Sequence, residues 1–337
     1  MKRLLKIVAA VVLLLVVAVA AFVGSLFVGA ATPPKPVGFQ EVIVPDTSDK
    51  PLAVGIWYPT DSSPGRSLIG LSAQRVATNG NVSGHDLPLV IISHGNGGLF
   101  SSHSDTALAL AADGFVVAAV THTGDNVNDQ SYVGTQRWLI DRSRHVHVVL
   151  DYMLRDWAAS KQVDPAHVGI FGFSAGATTA LLSVGATLDF GRLTEVCKAR
   201  PEFACTLWKQ LPTSNVAADT WVHDDRFKAA VIAAPGYGFA FDPASLSNIS
   251  LPVQLWNGSD DKNVPYASNE AIVRQRLARP PEYHSVPNAG HFAFLAPCPS
   301  WLLPVICKDD SRFDRADFHR EFNDSVRIFF RTSFGLK

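Results

Sequence analysis

Gly172-Phe173-Ser174-Ala175-Gly176 is the stretch whose residue types and spacing could do chemistry. It lies between Val168–Phe171, an apolar run that reads as a buried strand, and Ala175–Leu188, a small apolar stretch without proline that reads as a helix. In that context G-x-S-x-G is a tight strand-to-helix turn. The turn presents a serine hydroxyl at a strand end, and glycines stand where a Cβ would meet backbone. A five-residue pattern with three fixed positions also arises by chance; the flanking strand and helix weigh against that here.

A serine hydroxyl attacks a carbonyl only with a base in hydrogen-bond reach and an acid to orient that base. Of the eleven histidines, His291 in Asn288-Ala289-Gly290-His291-Phe292 follows the last expected strand and is the candidate base. His145 and His147 sit on an expected helix and suit structural roles better. The loop Asn257–Pro265 carries adjacent carboxylates, Asp260 and Asp261, and either could be the orienting acid or a turn former. Acyl transfer also needs N–H donors for an oxyanion. Ala175 supplies one candidate, and Gly95 or Asn96 in Ser93–Gly98 the other. That glycine-rich loop lacks the spacing of a phosphate loop.

The elements that must position these residues alternate. Expected strands are Glu41–Val44 and Leu52–Tyr58 (a hairpin), Leu89–Ile92, Phe115–Val120, Val168–Phe171, Lys228–Ala233, Val253–Trp256 and Tyr283–Val286. Expected helices are Ser104–Ala112, Gln136–Ser160, Ala175–Leu188, Ala267–Leu277 and Phe313–Phe334. Residues 61–86, rich in Ser, Gly and Asn, read as a surface loop. Residues 185–225 break the alternation and read as a cap insertion. The pattern predicts an α/β fold, a mostly parallel sheet with helices on both faces, whose ligands bind beyond the carboxyl ends of the strands. Ser93–Gly98, Ser174, Asp260/Asp261 and His291 all follow expected strands.

With 337 residues, 47% of them hydrophobic, the chain can bury one large core. A net charge of −1 gives no electrostatic case for nucleic acid. Lys2, Arg3 and Lys6 precede the apolar Ile7–Ala31, so residues 1–31 read as a signal peptide, with Val28-Gly29-Ala30 as a cleavage region, or as an uncleaved membrane anchor. Residues 32–37 are a proline-rich linker and 38–335 the folded domain. Export to the periplasm, secretion or membrane anchoring follows as the expected location. Four cysteines suit it, with Cys197/Cys205 and Cys298/Cys307 as local disulfide candidates, although other pairings are open.

Together these stretches resemble the α/β-hydrolase superfamily, whose triad runs in the order serine, acid, histidine. Within it the chain is similar to bacterial predicted dienelactone hydrolases and, more distantly, to platelet-activating-factor acetylhydrolases, over roughly residues 38–332. The resemblance rests on Ser93–Gly98, Gly124-Asp125-Asn126, the Ser174 turn, Gly258-x-x-Asp261-x-x-Val264-Pro265, Gly290–Phe294 and Phe313-Asp314-Arg315-x-x-Phe318-His319. The Gly-x-x-Asp-x-x-Val-Pro spacing implies Asp261 rather than Asp260 as the acid. Dienelactone hydrolases carry a cysteine at the turn and this chain carries Ser174, so that activity is not implied. What is implied is a serine esterase of the lipase-like kind, needing no metal or organic cofactor and acting on a small-molecule or lipid ester. A phospholipase A2 or platelet-activating-factor acetylhydrolase-like enzyme is the nearest alternative. A binding protein on a hydrolase fold is the alternative from another class.

Overall fold

The computed structural model describes residues 2–27, 29–298 and 305–336. In chain order the elements are α1 (Lys2–Leu26), β1 (Val37–Val44), β2 (Leu52–Pro59), β3 (Gly65–Ile69), β4 (Ser72–Thr78), β5 (Leu87–Ser93), α2 (Ser104–Ala112), β6 (Val116–Thr121), α3 (Gln136–Arg155), β7 (Val163–Phe173), α4 (Ala175–Ser183), α5 (Phe190–Ala199), α6 (Phe203–Thr206), β8 (Phe227–Ala233), α7 (Pro243–Ser247), β9 (Val253–Gly258), α8 (Glu270–Arg276), β10 (Glu282–Val286) and α9 (Arg315–Ser333).

The strands form one sheet in the order β10-β9-β8-β7-β5-β6-β2-β1-β4-β3. From β10 to β6 every pairing is parallel, and β2 joins β6 and β1 antiparallel. β5 is buried at every position, as a strand covered on both faces must be. Its side chains alternate. Leu89 and Ile91 enter a core with Val146, Val149 and Leu181 of α3 and α4; Val90 and Ile92 enter a second core with Leu110 of α2 and Phe322 and Phe330 of α9. Each such side chain contributes about 1.5–3 kcal/mol by leaving water. The sheet is thereby held between two helical layers, and its carboxyl edge is left open.

Residues 61–86 are not a loop. β3 and β4 pair antiparallel through a two-residue Gly70-Leu71 turn, and Gly38 and Phe39 of β1 pair with Ala77 and Thr78 of β4. The polar composition hid an edge hairpin in which Ile69 and Val76 point inward. Gln74 is buried there because it accepts from Trp57 Nε1 (3.0 Å) and donates to the Ser104 carbonyl (2.8 Å). The expected helix 175–188 is shorter: α4 ends at Ser183, just before Gly185 at φ 120°.

Between α4 and β8 the chain leaves the sheet. It forms α5 and α6, bridged by a Cys197–Cys205 disulfide; a second disulfide joins Cys298 to Cys307. Phe190 stacks on Trp221 and meets Trp208 edge-on, which ties this excursion to the α3–α4 face. Two disulfides suit an oxidising compartment outside the cytoplasm. Only part of the side chains of α1 are described, and among the described residues no helix is long and apolar enough to cross a membrane. Val28, in the expected cleavage region, lies outside the described residues.

Candidate active site

The carboxyl ends of neighbouring parallel strands are stitched together by backbone. Ser174 N–H donates to Ala233 O (2.9 Å), Ala234 N–H to Trp256 O (2.9 Å), and Ser259 and Asp260 N–H to Val286 and Ala289 O (2.9 and 3.0 Å). The loops after β7, β8, β9 and β10 are therefore spaced by the sheet itself.

At the end of β7 the turn is as tight as its glycines imply. A Cβ on Gly172 would lie 2.1 Å from Gly176 O, and one on Gly176 2.0 Å from Ser93 O. Ser174 between them holds φ 55°, ψ −121°, a strained conformation for a residue with a side chain. It precedes α4, and its hydroxyl makes no capping bond to the helix. The hydroxyl meets His291 Nε2 at 2.9 Å instead. His291 Nδ1 meets Asp261 Oδ2 at 2.6 Å.

Asp261 is fixed from its other side. Its Oδ1 accepts the N–H groups of Asn263 and Val264, both at 2.8 Å, so only Oδ2 faces the imidazole. Its side chain is 1% exposed. Asp260 points outward: its carboxylate is 45% exposed, 3.5 Å from Arg312. Phe173 packs on the His291 ring with centroids 4.9 Å apart.

Across from this chain of bonds runs the loop after β5. His94 Nε2 accepts the His122 N–H (3.1 Å), so Nδ1 carries the proton and donates to Gly95 O (2.6 Å). Burial first, then the Arg142 charge, pushes the His94 imidazole down to about 3, so it stays neutral. A trans peptide sets N–H opposite C=O, so the Asn96 N–H is turned away from His94. Among the described residues no acceptor engages the N–H of Gly95 or Asn96. The Ala175 N–H, at the start of α4, has no intrahelical partner.

Beneath the loop lies an ion pair of which the sequence pointed only to Asp125, in Gly124-Asp125-Asn126, and not to Arg142. Arg142 and Asp125 form an ion pair, each side chain 1% exposed. Asp125 Oδ1 accepts from Asn96 Nδ2 (2.7 Å) and Gly97 N (2.8 Å), while Arg142 donates to His94 O and to Thr179 Oγ1 (2.9 Å). Burial pushes the Asp125 carboxyl up, but the Arg142 charge together with His94 and the hydrogen bonds from Gly97 N–H and Trp138 outweighs it, and the net shift is downward. The signal in the sequence was an arginine between Trp138 and Val146, four residues from each, on the apolar stripe of α3.

Ser174, His291 and the loop Gly95–Gly98 open into a cavity of about 580 Å³. One wall is built from Gly70 and Leu71 of the β3–β4 turn, Ser102, Leu295 and Ile306; the other from Trp138, Phe203, Leu207 and Tyr237. Both disulfides border it, through Cys298 itself and through Phe203 and Ala204 beside Cys205. The donor atoms of Asp49, Asp141 and His145 lie within 4.8 Å of one another, as metal ligands could. Arg137 already pairs with both carboxylates (2.7 and 2.5 Å), so cationic side chains occupy that position.

The family model for platelet-activating factor acetylhydrolase, isoform II, matches residues 65–139, from the β3–β4 hairpin to the start of α3. Among solved structures, a ferulic acid esterase from Streptomyces cinnamoneus is similar, with a TM-score of 0.65 and 19% identity over 90% of this chain and 92% of that one. No curated protein matches at a significant level. With a parallel sheet between two helical layers and a Gly-x-Ser-x-Gly turn at its carboxyl edge, this chain has the α/β-hydrolase fold.

Proposed function

We propose that the protein is a serine hydrolase of carboxylic esters. Ser174 is the nucleophile, His291 the general base and acid, and Asp261 the group that orients the imidazole. The observation that carries this reading is the unbroken series Ser174 Oγ–His291 Nε2–Asp261 Oδ2, at 2.9 and 2.6 Å, of which Ser174 and His291 line the cavity.

Asp261 accepts a hydrogen bond from His291 Nδ1–H, which keeps that proton on Nδ1 and leaves Nε2 free to take the Ser174 proton as Oγ attacks the ester carbonyl. The N–H groups of Ala175 and of Gly95 or Asn96 receive the negative oxygen. Protonated His291 returns its proton to the departing alcohol, leaving an acyl-Ser174. Water, deprotonated by His291, attacks the acyl group and releases acid and free Ser174. Residues 185–225 act as the cap that shapes the pocket, and residues 1–31 serve for export or anchoring.

A second reading, a lipid hydrolase like platelet-activating factor acetylhydrolase, is favoured by the family match over 65–139. Hydrolysis of 4-nitrophenyl butyrate by the parent and by Ser174→Ala tests the reaction. A fall in kcat on the order of 10⁴-fold or more is expected; a parent-like rate in the variant overturns the reading. Comparison with a phosphocholine lipid carrying an acetyl ester separates the two substrate classes.

A further inference from the structure

The cavity meets the two halves of an ester with two walls, and the walls grow from opposite faces of the sheet. Gly70 lies against Ser101, and Ser102 O accepts the Ala296 N–H (3.0 Å), which joins the first wall into one surface beside Phe100 and Leu295 of the α2–α9 core. Tyr237 donates its hydroxyl to Ala204 O (2.8 Å) and packs edge-on against Trp138, which joins the second wall to the α3–α4 core. Ser174 sits between them, so the acyl and the alcohol part of a bound ester each face apolar side chains.

No lysine, arginine, aspartate or glutamate lines the cavity among the described residues. The ionisable side chains on its surface are His291, committed to Ser174 and Asp261, and Tyr237, whose phenol burial pushes up and which is already a donor. Residues 299–304, between the second pair of cysteines, contain no ionisable side chain in their sequence. The buried arginines next to the cavity are already paired: Arg142 donates to Asp125, Thr179 and His94 O, and Arg315, against Ile306 O, pairs with Asp309. An anionic group drawn into this cavity would lose its hydration and gain no counter-charge.

We propose that the substrate is an uncharged ester, apolar on both its acyl and its alcohol side, and that the pocket discriminates against esters bearing a carboxylate or phosphate within its walls. This rests on the reading of Ser174, His291 and Asp261 given above.

The test compares 4-nitrophenyl hexanoate with mono-4-nitrophenyl adipate, which has the same leaving group and the same six-carbon acyl chain with its terminal methyl replaced by a carboxylate. At pH 7.5 the intact chain is expected to show kcat/KM at least tenfold higher for the hexanoate; a ratio below tenfold overturns the proposal. Leu71→Arg, at an exposed turn position that lines the first wall, is expected to raise adipate turnover at least fivefold. No rise would contradict the claim that a missing cation sets the selectivity. Ser174→Ala is run beside both. If it abolishes hexanoate cleavage while the parent ratio stays below tenfold, only the substrate inference falls. If it cleaves hexanoate at the parent rate, the assignment of the reaction falls and the inference with it.

Discussion

The floor of the cavity and its walls are built by opposite means. The floor is interior: Ser174 sits between two glycines where an added Cβ would meet backbone near 2 Å, Asp261 is held by two backbone N–H groups, and the loop 94–97 by a buried ion pair. The walls combine buried Trp138 and Tyr237 with the turn of an edge hairpin and with residues at two disulfides of sequence separation eight and nine. Leu71 and Phe203, at 47% and 48% exposure, mark how far these walls reach into solvent. The proposed chemistry is thus placed by packing and electrostatics, which tolerate little change. Part of the pocket's shape is left to exposed residues beside the two disulfides.

The largest expected effect lies in the floor. Asp261→Asn should lower kcat by about 10²–10⁴-fold, since the wrong imidazole tautomer would face Ser174. Asp260→Asn, one residue away but exposed beside Arg312, should stay within about twofold of the parent. Equal effects in ester-hydrolysis kinetics would erase the distinction between the two carboxylates.

Next comes the support beneath the floor. Asp125→Asn leaves Arg142 buried without its counter-charge and should cost about 3–5 kcal/mol in denaturant unfolding. It should also lower kcat roughly 10²-fold with little change in KM, because the loop bearing the Gly95 and Asn96 N–H groups loses its anchor. An unaltered kcat in folded variant would mean that the ion pair serves stability alone.

The walls should respond differently. Cys197→Ser with Cys205→Ser should cost about 2–3 kcal/mol of stability, from the entropy of opening a short loop. With a small acetyl ester kcat should stay within about threefold, while KM for a longer acyl ester rises, because Phe203 and Leu207 lose their fixed position. Parallel losses of kcat on both esters would show that wall and floor are not separable.

The division also explains what could be read from sequence. The floor announces itself through short local patterns: a strand, a glycine-flanked serine, a histidine just after the last strand. The parallel sheet was legible because β5, β6 and the second half of β7, from Val168, are continuous apolar runs. The orientation of Asp261 was not legible, because it depends on a turn closed by the N–H groups of Asn263 and Val264. The β3–β4 hairpin escaped because edge strands are half polar, and its buried Gln74 is satisfied only by the distant Trp57 and Ser104. Arg142 was one basic residue among several on α3; only its spacing from Trp138 set it apart.

A smaller effect sharpens the account near the floor. Glu270, at the start of α8, is fully buried, and neither carboxyl oxygen has a hydrogen-bond partner among the described residues. Burial, with the Asp261 and Glu202 charges adding to it, pushes the carboxyl up to about 9. The unfolded chain releases this proton near the ordinary value of 4.5. The stability tied to the neutral form is therefore complete below that value and lost as pH rises through about 9. Glu270→Gln has no such linkage, so its Tm advantage over the parent should grow from pH 5 to pH 9. A constant Tm difference across that range would mean that Glu270 ionises normally.

The central claim is that Ser174 is an activated nucleophile. Treating the folded protein with a fluorophosphonate ester and measuring intact mass tests it directly. The account predicts one adduct per chain, mapped to Ser174, lost in Ser174→Ala and strongly slowed in His291→Ala. An unlabelled parent protein, or an adduct that persists in Ser174→Ala, would contradict it.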